Sequence, residues 1–223
     1  MRPYYEDEHT TLYHGDCREV LPSIDAFDVV LTDPPYGIEG GSGRGAERGK
    51  GSYLGDFDDT PAYISAVVIP VIRSCIARCA CVVLTPGIRN LMLYPQPQSF
   101  GCFYQPAAVG LQTFGNVDAQ PILYYGKNAS KRVMGNPCSY KLTESAEGWA
   151  HPCEKPRRAW SVLLANVSLP TSIVLDPFAG SGTTLVAAKN LGRRAIGIEI
   201  SEEYCAVAVE RLSQNVLDLG GVA

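Results

Sequence analysis

The sequence predicts an α/β fold, doubly wound around a mostly parallel sheet, with an antiparallel hairpin strand late in that sheet. Three observations predict it. Short, continuous apolar runs bounded by polar residues, such as "FDVVLTD" and "TSIVLD", suit strands buried on both faces. These runs alternate with segments of helical periodicity, the pattern of strand-helix-strand units with helices on both faces of a sheet. The 223 residues, 46% hydrophobic and 19% charged, suffice for one α/β domain that buries roughly 70% of its unfolded surface.

In chain order, "TLYHGD" reads as a short strand. "CREVLPSI" follows as a short helix with Val20, Leu21 and Ile24 on its apolar side, and "FDVVLTD" as a buried strand. Between Gly37 and Gly55 lie eight glycines interleaved with Arg44, Arg48 and Lys50, too many glycines to hold a helix or strand, so 37–59 is expected to be a mobile loop. Thr60 and Pro61 form an N-cap and first-turn pair opening a helix to about Arg78, with a kink expected at Pro70. "CACVVLTP" is the next buried strand, and "GCFYQPAAV" with "QPILYYGK" form the hairpin. Residues 127–150 are polar and without periodicity. Pro156 starts a helix with Trp160, Leu163, Leu164 and Val167 on one face. Then come the strand "TSIVLD", the loop "PFAGSG", a helix ending at Gly192, the strand "RRAIGIE" and a last helix capped by Ser201, with Glu202 and Glu203 in its first turn. No repeat or domain boundary is visible, so 1–223 reads as a single domain.

The N-terminal "MRPYYEDEHT" is polar and acidic, unlike a signal peptide, and the longest apolar stretch, Ala66 to Ile72, is too short to span a bilayer. These features predict a cytoplasmic protein without a membrane partner. Cys75, Cys79 and Cys81 form C-x3-C-x-C, but no Cys/His pair follows at zinc-finger spacing. The three straddle a helix end and a strand start, where cysteine packs as a small hydrophobe, so no metal is assigned. The net charge of −4 counts mildly against nucleic-acid binding, yet basic residues cluster in "KNASKR" (Lys127, Lys131, Arg132), "EKPRR" (Lys155, Arg157, Arg158) and "GRR" (Arg193, Arg194), and local charge outweighs the sum.

Two strand ends carry chemistry. In "VLDPFAGSGTT" a strand meets an acid, a glycine turn and a helix start, and Glu199 ends the next strand 17 residues beyond Gly182. Glycines allow close backbone approach and the acid suits the two hydroxyls of a ribose, the arrangement of a nucleoside-containing cofactor. Leu185 stands where G-x-G-x-x-G has its last glycine, which counts against a dehydrogenase. In "TDPPYG" two prolines fix Asp33 beside Tyr36 beyond a strand end. An acid and a rigid ring suit a planar substrate bearing an amino group: the ring stacks on it and the carboxylate accepts from the amino group.

Together, "TDPPYG" and "LDPFAGSGTT" resemble the S-adenosylmethionine-dependent DNA methyltransferases that make N6-methyladenine or N4-methylcytosine. The tetrapeptide precedes the glycine loop, as in the circularly permuted motif order of the beta class. "LYHGDC" and "HPCEKP" are similar to further segments of that class. The resemblance implies a Rossmann-like fold, double-stranded DNA as partner, and S-adenosylmethionine (SAM) as cofactor. It also implies a target base flipped out of the duplex, because its amino nitrogen is unreachable in the stack. It implies catalytic roles for Asp33, Pro34, Pro35 and Tyr36. Asp33 and the Pro34 carbonyl accept the amino hydrogens while Tyr36 stacks. Glu199 would hold the ribose, Phe178, Gly180, Gly182 and Thr183 form the wall and turn, Asp176 sits near the methionine ammonium, Asp16 and Cys17 face the adenine, and Lys155 reaches the cofactor carboxylate.

By the same reading, Arg44, Arg48 and Lys50, with Lys127, Lys131 and Arg132, contact DNA phosphates. About 106–150 forms a small target-recognition region, short enough to imply either a short or relaxed site or a homodimer supplying extra contacts. An aspartate at the head of the tetrapeptide favours adenine N6. The alternatives are cytosine N4 and a DNA-binding protein that has lost activity.

Overall fold

The computed structural model describes residues 1–37, 59–104, 111–112, 115–116, 119–128, 138–142 and 157–214. Its strands are β1 (Tyr5–Glu6), β2 (Thr10–His14), β3 (Val29–Thr32), β4 (Cys81–Leu84), β5 (Ser99–Tyr104), β6 (Leu111–Gln112), β7 (Gly115–Asn116), β8 (Ala119–Gly126), β9 (Tyr140–Lys141), β10 (Ile173–Asp176) and β11 (Arg194–Glu199). Its α-helices are α1 (Cys17–Val20), α2 (Pro61–Tyr63), α3 (Ile69–Arg78), α4 (Arg157–Val167), α5 (Thr183–Asn190) and α6 (Glu202–Ser213).

Among the described residues one nine-stranded sheet runs β1-β2-β11-β10-β3-β4-β8-β5-β9, and β6 pairs with β7 apart from it. From β2 through β11, β10 and β3 to β4 every pairing is parallel. β8 then turns antiparallel to β4, and β5 antiparallel to β8. This is the expected mixed sheet with its late hairpin.

Each parallel strand serves two cores, because successive side chains point to opposite faces. Val29, Leu31, Cys81, Val83 and Val174 pack with Trp160, Leu163 and Leu164 of α4, Leu185 of α5 and Ala208 of α6. Val30, Val82, Leu84 and Leu175 pack on the other face with Val20 of α1 and with Val71, Ile72 and Cys75 of α3. Cys75 and Cys81 therefore lie on opposite faces of the sheet, which is the packing reading of the cysteine cluster.

Thr60 caps the Pro61 helix, accepting from Tyr63 N at 3.2 Å, and Ser201 caps α6, accepting from Tyr204 N at 3.3 Å. The irregularity expected at Pro70 takes the form of a π-helical stretch, Ile64–Val68, just before α3. Proline supplies no N–H to the carbonyl of Ala66 and its ring crowds that carbonyl, so the preceding turn widens. The whole run Pro61–Arg78 is 18 residues and apolar enough, by length and composition, to cross a bilayer. That differs from the sequence reading. Here its apolar stripe, Ile64, Val67, Val68, Ile69, Val71, Ile72 and Cys75, is buried in the core, while Ser65, Ala66, Pro70 and Arg73 between them are exposed.

Candidate active site

Because β2, β11, β10, β3 and β4 all point the same way, their carboxyl ends share one edge, where ligands of open α/β sheets bind. A cleft opens there, about 870 Å³ with the solvent at its mouth. One wall is the whole tetrapeptide, Asp33 to Tyr36. Pro177, Phe178, Gly180 and Glu199 line the cleft as well. Gly15, Cys17, Tyr63, Ile198, Ile200 and Tyr204 complete the lining. The two corners read from the sequence thus meet in one cavity.

The acid and the ring are joined. The Tyr36 hydroxyl donates to Asp33 Oδ1 at 2.6 Å, and the Thr85 hydroxyl donates to the same oxygen. Gln120 Nε2 donates to the Tyr36 hydroxyl. The tetrapeptide's main chain is held as well, with Asn90 Nδ2 donating to the Tyr36 carbonyl (2.7 Å) and Gly37 N donating to Asp59 Oδ1 (2.5 Å). Gly87, at φ +67°, lies against the ring. A Cβ there would stand 3.0 Å from Tyr36 Cγ, so only glycine lets the backbone cover that face.

At the end of β11 Glu199, 8% exposed, accepts from Gly180 N (2.7 Å) and Ser201 N (2.8 Å). Burial raises its pKa and the backbone N–H groups oppose the shift. Asp176 is buried and does not line the cleft. Its Oδ1 accepts from Thr32 Oγ1 (2.6 Å) and Phe178 N (3.1 Å), and burial pushes its pKa up to about 6. Gly182 and Thr183 are also not among the lining residues. Thr183 takes a hydrogen bond from Arg211 Nη1 (3.3 Å), which also grips the Ser181 carbonyl and hydroxyl at 2.7 Å each. Asp16 caps α1 and is paired with Arg18 at 2.5 Å, which holds its carboxyl below the usual range. The Cys17 thiol, in the lining, is pushed up to about 12 by burial, which favours its protonated form.

The structure does not bring Lys127 to the site. β8 runs antiparallel, so Gly126 pairs with Cys81 and Lys127 N donates to Ala80 O (2.7 Å) at the amino end of β4, across the sheet from the tetrapeptide. Arg193 of "GRR" is buried on Ser168, donating to its Oγ at 2.7 Å, and leaves the basic surface. Lys155, Arg44, Arg48, Lys50, Lys131 and Arg132 lie outside the described residues. Of the 106–150 region, β8 is an integral strand of the sheet.

Sequence reasoning missed Thr85, Gly87, Asn90, Gln120 and Asp59 around Tyr36, and Tyr63 in the lining. "TPG" at 85–87 carried a readable signal, since it leaves a buried strand parallel to β3 just as "DPPYG" does.

The chain has known relatives. The model of a DNA methylase family, N6/N4 methyltransferases, matches residues 116–210. YubD of Escherichia coli (strain K12), whose name classes it among methylases, is 31% identical over 213 residues, covering 89% of this chain and 88% of its own. Among solved structures, the complex of M1.HpyAVI with SAM superposes with a TM-score of 0.66 at 22% identity, over 92% of this chain and 99% of that one. The PvuII DNA methyltransferase, titled cytosine-N4-specific, gives 0.69 at 15% identity, over 96% and 90%. Both likenesses are of fold. The chain belongs to the N6/N4 family of DNA methyltransferases.

Proposed function

We propose that this cleft transfers a methyl group from SAM to the exocyclic N6 amino group of adenine in DNA. The observation that carries the reading is that Asp33 and Tyr36, fixed to each other, line one cavity together with Glu199 and Gly180. The residues present fit the cofactor. Glu199 is a buried carboxylate in the lining whose oxygens each hold one backbone N–H, and each retains acceptor capacity for a ribose hydroxyl. Phe178 and Tyr63 add aromatic wall, and Glu199 supplies negative charge for a cationic ligand.

When bound, SAM supplies an electrophilic methyl on a sulfonium. The remaining work falls to the chain. Asp33 and the Pro34 carbonyl accept the two hydrogens of the amino group, drawing its lone pair out of conjugation with the ring. Tyr36 stacks on the base with one face, its other face backed by Gly87. Both constraints aim the nitrogen at near-contact distance, where alignment is the main requirement of an in-line displacement. The Asp33 carboxylate stabilises the positive charge that grows on the nitrogen.

The aspartate at the head of the tetrapeptide supports adenine, because cytosine-N4 members of the family often carry serine there. The test is to incubate the purified protein with SAM and unmethylated genomic DNA, digest to nucleosides and analyse them by mass spectrometry. N6-methyldeoxyadenosine is expected. N4-methyldeoxycytidine would overturn the base assignment and keep the mechanism.

A further inference from the structure

We propose that Gln120 and Thr85 are positioning residues of the methyl-transfer site, which hold Tyr36 and Asp33 as a single unit through the Tyr36 hydroxyl and Asp33 Oδ1. The inference rests on the base-gripping roles given above to Asp33 and Tyr36.

The sheet explains how two distant residues reach the tetrapeptide. Thr32 pairs with Leu84, and the ladder extends one step beyond the strands, with Thr85 N donating to Thr32 O at 3.2 Å. Thr85 thereby stands beside Asp33, fully buried, with its hydroxyl on Oδ1. β8 runs the opposite way. Its Leu123 pairs with Leu84, so Gln120 lies three residues past the carboxyl end of β4 and overhangs the cleft edge. From there its amide donates to the Tyr36 hydroxyl, which itself donates to Asp33 Oδ1.

The order of donors gives the unit its direction. The Gln120 amide occupies an acceptor position of the Tyr36 oxygen, so the phenolic hydrogen is turned to Asp33. Two hydroxyls then converge on one carboxylate oxygen, which fixes the plane of that carboxylate relative to the ring. A flipped base must meet ring face and carboxylate together, so a slack angle between them misaligns the amino group, and small misplacements are costly in transfer rate. Gln120 falls within the stretch assigned to target recognition from the sequence, so this role sets it apart from base reading.

The test is a double-mutant cycle on the single-turnover rate of methyl transfer from saturating SAM to unmethylated genomic DNA. Gln120→Leu is expected to slow transfer about 5- to 10-fold, and Thr85→Val about 10- to 100-fold, since the latter removes a hydrogen bond to a charged group. The Kd for SAM should stay unchanged in both. Thr85→Ser, which keeps the hydroxyl, should restore the rate. In a Tyr36→Phe background Gln120→Leu should change the rate less than about twofold, because its acceptor is gone. An equal fall in both backgrounds, or a SAM affinity that weakens in step with the rate, would overturn the proposal. Asp33→Ala run alongside separates the two readings. If it still transfers methyl, the grip itself is wrong. If it is inactive and the cycle is additive, only the positioning role fails.

Discussion

A Cβ placed on Gly182 would stand 2.9 Å from the Cβ of Ala208, and Gly182 sits at φ +79°. The second glycine of the loop therefore serves the close approach of α6 to the start of α5. Gly182→Ala adds a methyl where Ala208 already sits and forces an alanine into the left-handed region. The first effect costs about 1–3 kcal/mol and the second about 1–2 kcal/mol. Thermal unfolding should show Tm lower by roughly 5–15 °C. Ala208→Gly added to this variant should recover part of the loss, a coupling that a cofactor-contact role for Gly182 does not produce.

Glu199→Gln tests the ribose site. One oxygen becomes an NH2 group that faces the N–H of either Gly180 or Ser201, so one of the two backbone hydrogen bonds is lost as well as the charge. Calorimetric titration should give a Kd for SAM about 10- to 100-fold weaker, from loss of one charge-assisted hydrogen bond.

Asp176 makes stability depend on pH. Its folded-state pKa is raised to about 6 by burial, above the ordinary 3.8. Its contribution to stability is fully present below about pH 4 and is lost as pH rises through 6, a span of roughly 3 kcal/mol. Asp176→Asn keeps an oxygen for Thr32 Oγ1 and Phe178 N, both of which donate to Oδ1, and removes the titration. Urea unfolding from pH 4 to 7 should show wild type losing stability relative to the variant as pH rises.

Much of this was legible in the sequence because it is local. Asp33 to Tyr36, Phe178, Gly180 and Glu199 each sit where an apolar run ends, and strand ends of a parallel sheet share one edge, so reading the ends located the cleft. The residues that fix the tetrapeptide are not local. Thr85, Asn90 and Gln120 lie 52, 54 and 84 positions from their partners; strand register brings in Thr85 and Gln120, and the turn after β4 brings in Asn90. Charge was the weaker guide. Lys127 and Arg193 belong to basic clusters in sequence, but strand direction carries Lys127 to the far edge and burial on Ser168 removes Arg193 from the surface.

The central claim, that the acid and ring beyond β3 grip the target amino group, is tested most directly by single-turnover methyl transfer with Asp33→Ala. SAM is bound first and its affinity measured in the same samples. Loss of the carboxylate should lower transfer at least about 100-fold with the Kd for SAM unchanged within about threefold, as for removal of a group that acts on charge developing in the transition state. Transfer at the wild-type rate, with SAM bound, would contradict the account.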